Sequence, residues 1–110
     1  MNNADVRRRA DAYMQEKLSE FMAQPFGTIN NWPEYPQSSM IDLGVPADLL
    51  DEKCRFTLMK DTRPDGAIRV AVQYSHYRFL GMSDLGADGF VITADGTISE
   101  LSEQDRWDLT

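Results

Sequence analysis

Residues 54–75 read Cys54-Arg55-Phe56-Thr57-Leu58-Met59-Lys60-Asp61-Thr62-Arg63-Pro64-Asp65-Gly66-Ala67-Ile68-Arg69-Val70-Ala71-Val72-Gln73-Tyr74-Ser75. Cys54, Phe56 and Leu58 fall on one parity and Arg55 and Thr57 on the other; Ile68, Val70, Val72 and Tyr74 repeat the alternation after a break. A period of two is the pattern of a strand with one buried face, so two strands are predicted. Between them Arg63-Pro64-Asp65-Gly66 fits a type I turn, with proline at its second position and Gly66 as the left-handed residue of a three-residue loop. Loop length sets the register. With Pro64, Asp65 and Gly66 in the loop, Leu58 opposes Val72, Phe56 opposes Tyr74 and Cys54 opposes His76, while Asp61 meets Arg69 on the outer face as a cross-strand ion pair. A two-residue loop would set Leu58 against Ala71 and Phe56 against Gln73, separating the apolar faces.

Downstream, the second strand runs on toward Leu80 with a change of phase, since Tyr77 and Phe79 lie on the parity opposite to Val72 and Tyr74; a bulge near His76 is expected. Residues 81–89, rich in glycine and aspartate, read as a loop. Phe90-Val91-Ile92-Thr93, the turn Ala94-Asp95-Gly96 and residues 97–101 form a second hairpin, and Ser102 with Asp105 three residues later resembles a capping box for a short helix over 103–109.

Upstream, apolar residues recur at Val6, Ala10, Tyr13, Met14, Leu18, Phe21 and Met22, one face of an amphipathic helix capped at Asn3 and stopped by Pro25-Phe26-Gly27. Arg7, Arg8, Asp11, Glu16 and Glu20 occupy its other face. Residues 25–46 hold Pro25, Pro33, Pro36 and Pro46 with Trp32 and Tyr35, and proline's missing donor and fixed φ make this a long loop whose aromatics pack somewhere. Pro46 suits the start of a short helical turn over 47–52. The fold expected is α+β: one N-terminal amphipathic helix on a three- to four-stranded antiparallel meander, with a long Pro-rich loop between them and a short C-terminal helix. At 110 residues the whole chain, 1–110, is one domain.

Eighteen acidic and eleven basic side chains give a formal net charge of −7, the wrong sign for binding a phosphate backbone, so no nucleic-acid partner is expected. The charge is uneven. Residues 1–20 are neutral, 21–47 carry −2, 48–52 carry −3, 53–78 carry +4 and 79–110 carry −6. The first hairpin is thus basic and the C-terminal third acidic. A single cysteine, Cys54, excludes an intrachain disulfide and fits a reducing, cytoplasmic setting. With no secretory leader and no long apolar run, no membrane partner is expected.

The register sets Cys54 beside His76, the skeleton of a thiol–imidazole dyad, but on the core-facing side and with no orienting acid or oxyanion segment. Asp84, Asp88 and Asp95 fall at positions one, five and twelve of an EF-hand-like frame, yet position three is Gly86, position twelve is not glutamate, and strand pattern replaces the flanking helices. Neither set is taken as a site: no catalytic residue, metal or cofactor is expected.

The charge layout points instead to a small acidic protein-binding module of the inhibitor, immunity or adaptor kind, not an enzyme. Asp84, Asp88, Glu100, Glu103, Asp105 and Asp108, with Trp107, would meet a protein partner with a basic surface. Two alternatives stand beside it: a cone-like domain binding or turning over a small ligand between helix and sheet, and an accessory subunit docked through its Pro-rich loop.

Overall fold

The computed structural model describes residues 2–108, with Trp107 described in its backbone alone. β1 (Cys54–Thr62) and β2 (Ile68–Phe79) pair antiparallel with Leu58 opposite Val72, Phe56 opposite Tyr74, Cys54 opposite His76 and Asp61 opposite Arg69. This is the register of a three-residue loop. Arg63 N–H donates to the Ala67 carbonyl at 2.8 Å, and Gly66 takes a φ of 89°. β3 (Met82–Ile92) follows β2, and β4 (Ile98–Glu100) follows β3, giving the sheet order β1-β2-β3-β4.

β3 corrects the expectation of a loop over 81–89. The turn is only Leu80-Gly81, both with positive φ (52° and 78°), and strand pairing resumes at Met82. The glycines belong to the strand for reasons of space. A Cβ on Gly86 would lie 2.3 Å from the Tyr74 ring, and one on Gly89 would lie 2.2 Å from the Val70 carbonyl oxygen and 2.9 Å from the Ala71 Cα. The register shift falls between Tyr77 and Phe79, just beyond the position expected for it.

α1 (Asn3–Met22) lies across one sheet face. Its cap is Asn2, one residue earlier than expected, whose side chain accepts from Asp5 N–H at 2.9 Å. Val6, Ala10, Tyr13, Met14 and Leu18 are buried against Leu58, Val70, Val72, Tyr74 and Phe90. Tyr74 is fully buried and donates to Asp11 on α1 at 2.7 Å. Burial, then the Asp11 carboxylate, pushes its phenol up to about 12.

A raised folded-state pKa means stability that is present below the unfolded value near 10 and lost as pH climbs through the folded one. A shift of this size corresponds to about 3 kcal/mol. Urea unfolding between pH 9 and 12 is therefore expected to show the wild type losing stability more steeply than Tyr74→Phe, which removes this contribution. Parallel slopes for the two proteins would contradict the assignment. Burial also pushes the Tyr13 phenol up, so the variant retains a residual slope.

Between α1 and β1 the chain forms α2 (Phe26–Asn30), a 3-10 turn (Gln37–Met40) and α3 (Ala47–Asp51), so the Pro-rich segment holds short helical turns of its own. Part of it closes the outer edge of β1. Tyr35 N–H donates to the Lys60 carbonyl at 2.8 Å, and the buried Ser38 hydroxyl donates to the Leu58 carbonyl at 2.8 Å. Lys60, on the core-facing parity and buried, donates from Nζ to the Asn30 and Trp32 carbonyls at 3.2 and 2.8 Å, with Glu34 at 3.5 Å. An edge strand left open is an invitation to pair with other chains, and here it is covered.

On the opposite sheet face a smaller core gathers Ala67, Ala71, Val91 and Leu101. α4 (Glu103–Asp108) follows Leu101 and opens with the expected capping box: Ser102 Oγ accepts from Asp105 N–H, and the Asp105 carboxylate accepts from Ser102 N–H, both at 3.1 Å. Leu109, expected in this helix, lies outside the described residues.

Candidate interaction surface

Cys54 and His76 do meet across β1 and β2, and both are buried. Burial, then the charges of Glu52 and Asp48, pushes the Cys54 thiol up, the reverse of what a nucleophile requires. His76 Nδ1 stands 3.9 Å from Asp84 Oδ2 and makes no hydrogen bond among the described residues. Asp84 and Asp88 lie along strand β3, whereas Asp95 sits in the next turn, where hydrogen bonds from Thr93, then Thr97, hold its carboxyl down at about 2. Among the described residues no three metal-ligating side chains converge.

The acidic residues expected to form one partner-binding cluster are divided over the molecule. Asp84 lies on the α1-facing side of β3, 3.6 Å from Arg78. Asp88 accepts from Gln15 of α1 at 2.9 Å and meets Arg106 of α4 at 3.4 Å, so it straddles the strand edge. Asp105 is buried, accepts from Arg63 and lies 3.5 Å from Arg69. Asp108 lies 3.3 Å from Arg69. Glu100 and Glu103 are exposed. The Trp107 side chain lies outside what is described. Four of these six carboxylates thus face arginines, three of which (Arg63, Arg69 and Arg78) come from the basic hairpin. Part of the acidic region is thus held against the basic hairpin within the chain.

One end of the sheet presents large apolar side chains outward. β2 and β3 project past the start of β1, which ends opposite His76, and the projecting part carries Phe79 (62% exposed), Leu80 (82%) and Met82 (50%), with Leu85 (60%) beside it on β3. Tyr77 is exposed at the base. β4 pairs only with residues 90–92 of β3, so among the described residues the Met82–Asp88 stretch pairs with β2 alone and is an open edge. The phase change at Tyr77 and Phe79 was the sequence signal for this end; nothing local in the sequence marks it as uncovered.

Next to it, on the sheet face that α4 shares but does not fill, lies an open groove of about 440 Å3 lined by Leu50, Lys53, Cys54, Arg55, Ser75 and Tyr77. Lys53, at a φ of 62° where α3 passes into β1, holds its ammonium 5.4 Å above the Tyr77 ring.

Comparison with known proteins finds no matching family model, curated protein or solved structure.

Proposed function

We propose that this chain is a non-catalytic protein-binding module of the inhibitor, immunity or adaptor kind, docking through the projecting end of β2 and β3. The observation that carries the reading is the exposure of Phe79, Leu80, Met82 and Leu85 together at one end. Large apolar side chains left exposed at one end of a sheet, Met82 and Leu85 on opposite faces of β3, are the usual mark of a contact site. Leu80 sharpens the point. Its left-handed conformation in a two-residue turn is one that asparagine or glycine adopts readily and leucine adopts at a cost of about 1 kcal/mol. Local turn energetics therefore argue against leucine there, while recognition argues for it. The acidic tail is set aside as the main contact because most of its carboxylates already hold arginines. A lone buried cysteine fits work in the cytoplasm.

The test is capture of binding proteins from the native host on immobilised wild type and on Phe79→Ser/Leu80→Asn. The wild type is expected to retain a partner that the double variant loses. Leu80→Asn alone should raise the unfolding midpoint by roughly 4–8 °C, so lost capture is not lost folding. Identical sets of captured proteins on both surfaces would reject the reading.

A further inference from the structure

We infer that the open edge of β3 pairs with the same edge of a second copy of this chain, antiparallel about a two-fold axis at Leu85. The inference rests on the reading of this end as a contact site and names its occupant. Backbone direction, register and shape each point to a copy of the same strand.

Edge strands are ordinarily blunted by lysine, proline, a bulge or a covering segment. The β1 edge is closed by Tyr35 and Ser38, whereas Met82–Asp88 carries no proline and no cation and, among the described residues, pairs with β2 alone. Backbone groups alternate in direction along a strand. Thr93 N–H donates to the Thr97 carbonyl at 3.0 Å on the β4 side; counting back by twos, Val91 faces β4, and Ala87, Leu85 and Ser83 turn their N–H and C=O to the open edge. Gly89, between them, donates to Asp88 Oδ1 at 2.8 Å and ends the open row there.

Register follows from parity. Two-fold pairing sets edge-facing residues opposite edge-facing residues, so the axis passes through a residue of the strand. An axis at Asp84 sets Asp84 against its own copy, and one at Gly86 sets Asp84 against Asp88, like charges directly opposed in both cases. An axis at Ser83 or Ala87 slides the overlap onto the Leu80-Gly81 turn or onto residues that β4 already holds. With the axis at Leu85 the whole of Met82–Asp88 pairs: Leu85 on Leu85, Ser83 on Ala87, Asp84 on Gly86 and Met82 on Asp88. Only this register uses the full edge and leaves every aspartate opposite an uncharged residue. Arg106, 3.4 Å from Asp88 at the end of the edge, is an exposed side chain that an incoming strand displaces at little cost.

Shape agrees with it. Phe79 and Met82 oppose each other on the α1 side of the sheet, the side of Phe90 and Ile92. In this register the turn of one copy, carrying Phe79 and Leu80, arrives beside Gly89 and Phe90 of the other. An apolar hollow of about 260 Å3 lies there, lined by Met22, Gly89, Phe90, Ile98, Ser99 and Glu100. Knob and hollow share one face at the two ends of one edge, so the two-fold fills both hollows at once. The edge, the four exposed apolar side chains and the hollow cover roughly 600 Å2 per copy, the lower end of what specific interfaces bury.

Sedimentation equilibrium between about 5 and 500 μM is expected to show monomer and dimer with a dissociation constant on the order of 10 μM. Each copy carries −7, so added salt should tighten the dimer. Leu85→Lys, at a site 60% exposed in the monomer, sets two ammonium groups face to face at the axis and is expected to weaken the dimer about tenfold. Ser83→Pro removes an N–H that faces the second copy, leaves the ladder to β2 whole, and should weaken it by a similar factor in a protein checked to melt as wild type. If the proline variant fails to fold, Leu85→Lys decides alone. Leu50→Lys, at an exposed site on α3, should leave self-association unchanged. A chain that stays monomeric throughout, a dimer indifferent to Leu85→Lys, or one lost equally in Leu50→Lys overturns the inference. A monomeric chain whose Phe79→Ser/Leu80→Asn variant still loses its captured partner would remove only the second copy; capture that survives that variant would remove the broader reading.

Discussion

A Gly89→Ala variant is expected to lose about 4 kcal/mol of stability, enough to leave roughly a sixth of the molecules unfolded at 37 °C if the wild type lies at the low end of the usual 5–15 kcal/mol. The added methyl would sit 2.2 Å from the Val70 carbonyl oxygen and 2.9 Å from the Ala71 Cα. Both are backbone atoms of β2, the strand paired to β1 on one side and β3 on the other, so neither can retreat without breaking two ladders. Gly86→Ala meets a different obstacle, the Tyr74 ring at 2.3 Å. A ring can turn, but this one is fully buried and tied to Asp11, so overpacking of about 2–3 kcal/mol is expected there. Urea midpoints give the comparison, with an unchanged slope showing that the loss is in stability and not in the unfolded chain. A Gly89→Ala protein within 1 kcal/mol of wild type would mean that β2 and β3 are not in this close register.

These two glycines also show where the sequence was hard to read. Asp84-Leu85-Gly86-Ala87-Asp88-Gly89 has the composition of a loop, and aspartate and glycine serve turns and tight strand contacts equally well. Only the position of Tyr74 across the sheet reveals why Gly86 must lack a side chain. The first hairpin was legible for the opposite reason: a turn of known length fixes every pair that follows, and Leu58–Val72 through Cys54–His76 fall as the loop dictates. The helix stripe was legible too, with its cap misplaced by one residue because Asn2 and Asn3 are chemically the same.

Charge was read least well. Counting by segment records that 53–78 is basic and 79–110 acidic, but it cannot see that antiparallel pairing brings Arg78 beside Asp84, or that α4 returns over β2 to set Asp105 and Asp108 on Arg69. Four of the six carboxylates expected to face a partner instead lie against arginines of the same chain, while Glu100 and Glu103 stay exposed. Lys60 was another silent position. Its parity placed it inward, and only the carbonyls of Asn30 and Trp32, from a segment read as plain loop, make a buried ammonium tolerable there. The candidate surface at Tyr77, Phe79, Leu80, Met82 and Leu85 is apolar in sequence, but exposure is a property of what fails to cover it.

Asp105→Ala is expected to cost about 3 kcal/mol and to release α4 from the sheet. Three attachments end on this one buried carboxylate. It accepts from Ser102 N–H and Oγ at the start of α4, it accepts from Arg63, and it lies 3.5 Å from Arg69. Arg69, little exposed itself, keeps Asp61 at 2.9 Å but loses the partner beneath the helix. Although burial works the other way, the Arg63 guanidinium and the Ser102 donors hold the Asp105 carboxyl below the ordinary range. A lowered pKa contributes stability that is present above the unfolded value near 4 and lost as pH falls through the folded one, so the wild type should weaken below about pH 4. Asp105→Ala lacks that contribution at every pH, and its deficit relative to wild type is expected to shrink as the pH is lowered from 7 toward 2. Asp105→Asn, which keeps an acceptor for the helix cap but not the charge, should lie between the two at pH 7. Urea titrations at pH 7 and pH 3 give the check: a deficit that stays constant with pH would mean that Asp105 owes nothing to its charge beside Arg63 and Arg69.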